Sequence, residues 1–110
     1  MKRYVYEQDP GHGWLGVPRA ELIELGIENL ISTYSYFDPH NTLVWLEEDC
    51  DMSIFLLAKV CGTTDERAID GPVRDKVHCW MSDNVQEKYV KTTRIRSLPS
   101  FAQFNIRRAL

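Results

Sequence analysis

Apolar and polar positions alternate with period two in several short stretches of this chain and recur with helical spacing in two others. From Lys2 to Glu7, Tyr4 and Tyr6 share one face while Arg3, Val5 and Glu7 share the other, which predicts a short β-strand. Asp9-Pro10-Gly11-His12-Gly13 breaks it with a tight loop whose glycines permit positive φ. Trp14-Leu15-Gly16-Val17 resumes as a second extended piece. Pro18 stands where a helix can begin, because its missing N–H would be unbonded there in any case. From Arg19 to Leu25 the spacing gathers Ala20, Leu22, Ile23, Leu25 and, one turn on, Ile27 toward one side, with Glu21, Glu24 and Glu28 toward water. Gly26 is expected to end this helix as a left-handed cap.

Ser32–Phe37 and Thr42–Glu47 alternate again on either side of Asp38-Pro39-His40-Asn41, which is turn chemistry. The pattern predicts a β-hairpin with Tyr34 and Tyr36 on one face of the first strand and Leu43 and Trp45 on one face of the second. Aromatics so placed pair across strands more often than they form a ligand platform. Asp49 or Asp51 is expected to cap a helix from Met52 to Cys61 that stops at Gly62. Its apolar face of Ile54, Phe55, Leu57, Ala58 and Cys61 makes it the principal core helix. Beyond it, 63–70 is a polar connection, Gly71-Pro72 is punctuation, Val73–Trp80 fits helix and strand equally, and Ser82-Asp83-Asn84 fits a turn or a cap. Tyr89–Leu98 is predicted as a strand closed by Pro99-Ser100, and the tail from Phe101 to Leu110 is assigned a short helical turn. The architecture expected is a single α+β domain over residues 1–110: a small antiparallel sheet, one main packed helix at about 52–61 and a short helix at about 19–25.

A length of 110 residues suits one modest core, and the 44% hydrophobic and 26% charged content argue against disorder. A net charge of -3 is too weak for an acidic mimic of DNA and of the wrong sign for a generic phosphate binder. No window reaches the roughly 18 apolar residues of a membrane span. The N-terminus lacks an apolar core of signal-peptide length, so the cytoplasm is the expected location, with no membrane partner. Cys50, Cys61 and Cys79 are odd in number and widely spaced, which fits reduced, mostly buried thiols rather than a disulfide framework or a zinc ribbon.

The sharpest charge feature is Glu47-Glu48-Asp49-Cys50-Asp51, four carboxylates in five positions. A hard cation would want such oxygens, and with His12 they suggest a hydrolytic metal site. Yet successive strand residues point to opposite faces, and the spacing lacks the alternating ligands and central glycine of a calcium loop. Helix capping with a solvated acidic rim is the favoured reading, and no metal or cofactor is assigned. His12 has the freedom of a glycine loop to approach a ligand, against which stands a ring bonded to local backbone. Cys50 sits among carboxylates that raise a thiol's pKa, which argues against a nucleophile, and no catalytic residue is assigned. His78 and Cys79 are adjacent and diverge. Arg94, Arg96, Arg107 and Arg108, with Lys88 and Lys91, make the C-terminal part basic, suited to a phosphate backbone, an acidic protein surface or plain solvation. The binding residues selected are His12, Trp14, Tyr34, Tyr36, Trp45, Glu47, Glu48, Arg94 and Arg96.

Two resemblances add expectations. Gly16-Val17-Pro18-Arg19-Ala20-Glu21-Leu22-Ile23-Glu24-Leu25-Gly26-Ile27, with the hairpin up to Glu48, resembles the strand–proline–short helix segment of AbrB-type swapped-hairpin DNA-binding domains. Asn29-Leu30-Ile31 stands where that family carries a Gly-Asp turn. This likeness implies a homodimer that binds DNA through Arg19, Arg94 and Arg96. Asp9-Pro10-Gly11-His12-Gly13-Trp14, Ile31-Ser32-Thr33-Tyr34-Ser35-Tyr36 and Leu46-Glu47-Glu48-Asp49-Cys50-Asp51 resemble small accessory proteins of phages and prophages, with Arg96-Ser97-Leu98-Pro99-Ser100-Phe101 as a later echo. That likeness implies a non-enzymatic protein that binds a host protein in the host cytoplasm, in the manner of a counter-defence inhibitor. A metal-dependent hydrolase or nucleotide-ligand binder using His12 and the carboxylates is the third reading.

Overall fold

The computed structural model describes residues 2–103. Strands β1 (Tyr4–Gln8) and β2 (Gly13–Pro18) form a hairpin around the Asp9–His12 loop, and helix α1 (Arg19–Glu24) starts directly after Pro18. Strands β3 (Tyr36–Asp38) and β4 (Leu43–Glu47) form a second hairpin. Helix α2 (Met52–Cys61), helix α3 (Gly71–Asn84) and strand β5 (Val85–Tyr89) complete the elements, and the sheet order is β3-β4-β2-β1-β5. The domain is α+β, as the periodicities predict. The sheet is mixed rather than purely antiparallel, because β5 lies parallel to β1, with Tyr4 opposite Val85 and Gln8 opposite Tyr89.

Alternation along the strands divides the sheet into two faces. Tyr4, Leu15, Val17, Phe37, Val44, Leu46 and Val85 point to the helices and join Leu22, Ile27, Met52, Phe55, Leu56 and Ala58 in one buried cluster. Phe55 is fully buried and meets the Tyr4 ring at 5.7 Å, and Trp80 of α3 closes this aromatic group at 5.3 Å from Tyr4. Burying a side chain of that size is worth about 1.5–3 kcal/mol, which makes α2 the principal helix in energy as well as position. Gly62 caps it at φ 69°, its N–H donating to the Ala58 carbonyl.

The structure corrects several expectations. In α1 the buried side chains are Glu21 and Leu22, while Ala20 and Ile23 face outward. Glu21 turns inward because it accepts from the Tyr4 hydroxyl at 2.7 Å and the Arg3 guanidinium at 3.0 Å, with the Lys59 ammonium at 3.8 Å. The first hairpin strand is shorter than Ser32–Phe37, since Ser32 and Ser35 spend their hydrogen bonds on Asp51 instead of on a ladder. Residues 71–84 resolve the ambiguous stretch as helix: Asp70 accepts from the Val73 N–H at 2.9 Å and Pro72 fills the first turn. The strand predicted at Tyr89–Leu98 lies earlier, at Val85–Tyr89, where four of five residues are exposed, as suits a charged edge strand. Cys50 and Cys79 are exposed rather than buried. The tail at 104–110, within the predicted helical turn, lies outside the described residues.

Residues 90–100 cross the sheet face opposite the helices. They leave β5 with the Val90 N–H on the Gln8 carbonyl and reach the other edge, where Ser100 bridges Tyr36. Midway, Thr93 donates to Glu7 and Arg96 covers Trp14, while Ile95 is 3% exposed and stands outside the main core cluster. This strap leaves one end of the outer face open, beside Glu47 and the Asp9–His12 loop.

Candidate functional site

Trp14 lies opposite Glu47 across the β2–β4 pair, and Tyr36 lies opposite Trp45 across β3–β4, so all four start from the outer face. The β1–β2 loop brings His12 over the same end. Asp9 holds that loop by accepting from the Gly11 N–H at 2.9 Å and the His12 N–H at 3.0 Å, and its own N–H donates to the His12 carbonyl. Arg96 of the strap then bonds the Asp9 carboxylate at 2.5 Å and places its guanidinium 4.9 Å from the Trp14 ring centre. The Arg96 guanidinium and, next, the His12 backbone N–H hold the Asp9 carboxyl well below the usual carboxylate range.

After Glu47 the chain leaves the sheet in a turn that runs into α2. The Glu47 carboxylate, 6% exposed, anchors it by accepting from the Asp49 and Cys50 N–H groups, both at 2.9 Å. Glu48 accepts from the Tyr6 hydroxyl at 2.5 Å. Burial, followed by that bond, pushes the Tyr6 phenol far above its ordinary range. Asp51 occupies the position that precedes α2 without capping it with its side chain, contrary to expectation. Its carboxylate, 1% exposed, accepts from the Ser32 N–H at 2.9 Å, the Ser32 hydroxyl at 2.7 Å and the Ser35 hydroxyl. Ser35 Oγ in turn accepts from the Glu47 N–H at 2.9 Å. The two acidic ends of the motif therefore act together, and they fix the turn that carries Tyr34.

The result is an open depression of about 370 Å³ lined by His12, Trp14, Tyr34, Tyr36, Glu47, Asp49, Cys50 and Arg96. Six of the nine residues selected from the sequence line it. Trp14 meets Tyr36 edge to face at 6.1 Å and His12 at 5.9 Å, and its indole N–H points to the Tyr34 carbonyl at 3.4 Å. Tyr34 is 63% exposed and supplies a free ring face. Trp45 stands apart, packed over Gly16, where a Cβ would come within 2.9 Å of its ring. Glu48 is bonded to Tyr6 and is not among the lining residues, and Arg94 is exposed elsewhere. Sequence selection left out Asp9, Asp49 and Cys50. For Asp9 the signal was the Asp-Pro-Gly-His run itself, an aspartate placed to accept from its own loop.

Contrary to the strand argument, ligand atoms of His12, Glu47, Glu48 and Asp49 all lie within 4.8 Å of one another, because the strand ends at Glu47 and the following turn folds the carboxylates together. Such a set could hold a divalent cation through carboxylate oxygens and one imidazole nitrogen. The ion pairs of the described residues give Glu47 only the His12 imidazole at 3.7 Å, and give Glu48 and Asp49 no Lys or Arg. Three basic residues are paired with other carboxylates: Arg96 with Asp9, Arg19 with Glu28 at 3.6 Å, and Lys88 with Glu7 at 3.4 Å. Partial desolvation and then Glu47 push the Cys50 thiol up, away from thiolate reactivity. Comparison with family models, with curated proteins and with solved structures finds no match.

Proposed function

We propose that the protein is a non-enzymatic binding protein that engages another protein through the depression beside His12 and Glu47. The observation that supports this most is the convergence of Trp14, Tyr34 and Tyr36 with Glu47 and Asp49 around one open concavity. Aromatic rings supply contact area at low entropic cost, and uncompensated carboxylates supply orientation and choice of partner. Cys50, the nucleophilic atom at the site, has its thiol stabilised rather than its thiolate. On the resemblance of Asp9–Trp14 and Leu46–Asp51 to phage accessory proteins, a host protein would be the partner and its inhibition the consequence. DNA binding is less well supported, because Arg19 and Arg96 are held in ion pairs within the chain.

The test is affinity capture from host-cell lysate with the wild type and with a variant carrying Asp49→Lys, a charge reversal at an exposed position of the depression. A defined protein retained by the first and released by the second supports the reading. Equal retention by both, or none by either, overturns it.

A second reading rests on the 4.8 Å grouping of His12, Glu47, Glu48 and Asp49, which suits a divalent cation and the hydrolytic chemistry such an ion supports. A site of this kind would raise the melting temperature in magnesium, manganese, calcium or zinc, with a rise that grows with ion concentration. A melting temperature indifferent to all four removes it.

A further inference from the structure

We infer that the depression receives an arginine side chain of the partner; this rests on the protein-binding reading above and names the chemistry that the site recognises. The molecule already contains one such arrangement. Arg96 lays its guanidinium over Trp14 while a carboxylate, Asp9, takes its N–H groups. Beside it, the open part of the depression offers the same two components without a cation: the Tyr34 and Tyr36 rings, and the carboxylates of Glu47 and Asp49.

Charge decides the sign of the occupant. Glu47 and Asp49 face the depression with no Lys or Arg paired to them among the described residues, and Arg96 is neutralised by Asp9. Glu47 is 6% exposed, and Oε2 serves the Asp49 and Cys50 amides. Its Oε1 lies 3.7 Å from His12 Nδ1, beyond hydrogen-bond range, so the carboxylate keeps acceptor capacity where little water reaches. A planar guanidinium can stack flat on a tyrosine face while its fork donates to a carboxylate edge, whereas an ammonium is a compact, strongly hydrated point charge without that fork. Arginine is therefore preferred over lysine, an acidic side chain is repelled, and an apolar one leaves the Glu47 and Asp49 carboxylates unmatched.

The probes are acetyl-arginine-amide and its lysine, norleucine and glutamate counterparts, titrated at millimolar concentration while the Trp14 indole and the Gly13 and Tyr34 amides are followed by NMR. Arginine should move these signals in a saturable way, lysine more weakly, norleucine and glutamate not at all. Tyr34→Ala, which alters an exposed ring, should weaken arginine binding about threefold, and Glu47→Gln about tenfold. No saturable response to arginine, or an equal response to norleucine, overturns the inference. So does a response to manganese or zinc alone with none to arginine, which would assign the depression to a metal. Capture of a host protein that charge reversal abolishes, with arginine inert, sinks this inference and leaves the protein-binding reading standing. Arginine binding without any captured protein does the reverse.

Discussion

Asp9 and Arg96 stand 87 positions apart and meet with the guanidinium nitrogen 2.5 Å from the carboxylate oxygen. This contact ties the loop that carries His12 to the strap that crosses the outer face of the sheet. It joins the β1–β2 loop to the C-terminal part of the described chain at the site.

The Asp9 carboxyl titrates well below an unfolded aspartate, first through Arg96 and then through the His12 N–H. Its contribution to stability is therefore complete above the unfolded value, about 4, and is lost as pH falls from there toward the lower folded value. Denaturant unfolding between neutral pH and pH 2 should show the wild type weakening most steeply below about pH 4. Asp9→Asn should start less stable at neutral pH and lose less on acidification. Parallel curves for the two proteins would show that the Asp9–Arg96 contact carries none of the acid dependence.

Much of the sheet was legible because Tyr4, Leu15, Val17, Val44 and Leu46 alternate in register with a face that is buried against helices. Gly26 and Gly62 mark the ends of α1 and α2 at φ 70° and 69°, where only glycine escapes a steric penalty. What escaped reading depends on distant partners. Glu21 looks solvent-facing until Tyr4, Arg3 and Lys59 surround it, and Val85–Tyr89 looks irregular because an edge strand needs one apolar anchor only. The site was legible as residue types, and six of the nine selected line it, but the period-two rule separated Glu47 from Glu48. That rule holds only within a strand, and β4 ends at Glu47.

Asp51→Ala should be among the most damaging single changes outside the apolar core. It strands the Ser32 N–H and the Ser32 and Ser35 hydroxyls, and Asp51 is 1% exposed, so water cannot replace it freely. The expected loss is about 2–4 kcal/mol, smaller for Asp51→Asn, which keeps one acceptor oxygen. Chemical denaturation measures it. Because Ser35 also supports the Glu47 N–H, Tyr34 signals should broaden or shift in the same variant.

Gly13 is required by its neighbour rather than by its own backbone. A Cβ there would lie 2.0 Å from the Tyr6 hydroxyl oxygen and 2.3 Å from the ring carbon that bears it. Gly13→Ala should therefore displace Tyr6, break its hydrogen bond to Glu48 and cost about 1–3 kcal/mol. Ultraviolet titration provides the specific check, since Tyr6 should ionise closer to an ordinary phenol in the variant than in the wild type, where burial and Glu48 hold it up. An unchanged titration would mean that the Tyr6–Glu48 bond survives.

Glu47 combines a structural and a recognition role, and two substitutions separate them. Glu47→Ala removes the acceptor of the Asp49 and Cys50 N–H groups and should destabilise the turn before α2 by about 1–3 kcal/mol. Glu47→Gln keeps an amide oxygen for those donors, so its stability should stay within about 1 kcal/mol of the wild type. It also removes the buried negative charge that faces His12 and the depression. A glutamine variant that folds like the wild type and still retains the captured partner at full strength would show that the charge is unnecessary and that Glu47 serves the turn alone. Folding intact with capture weakened assigns the charge to recognition, because the two proteins then differ at the depression by the Glu47 charge alone.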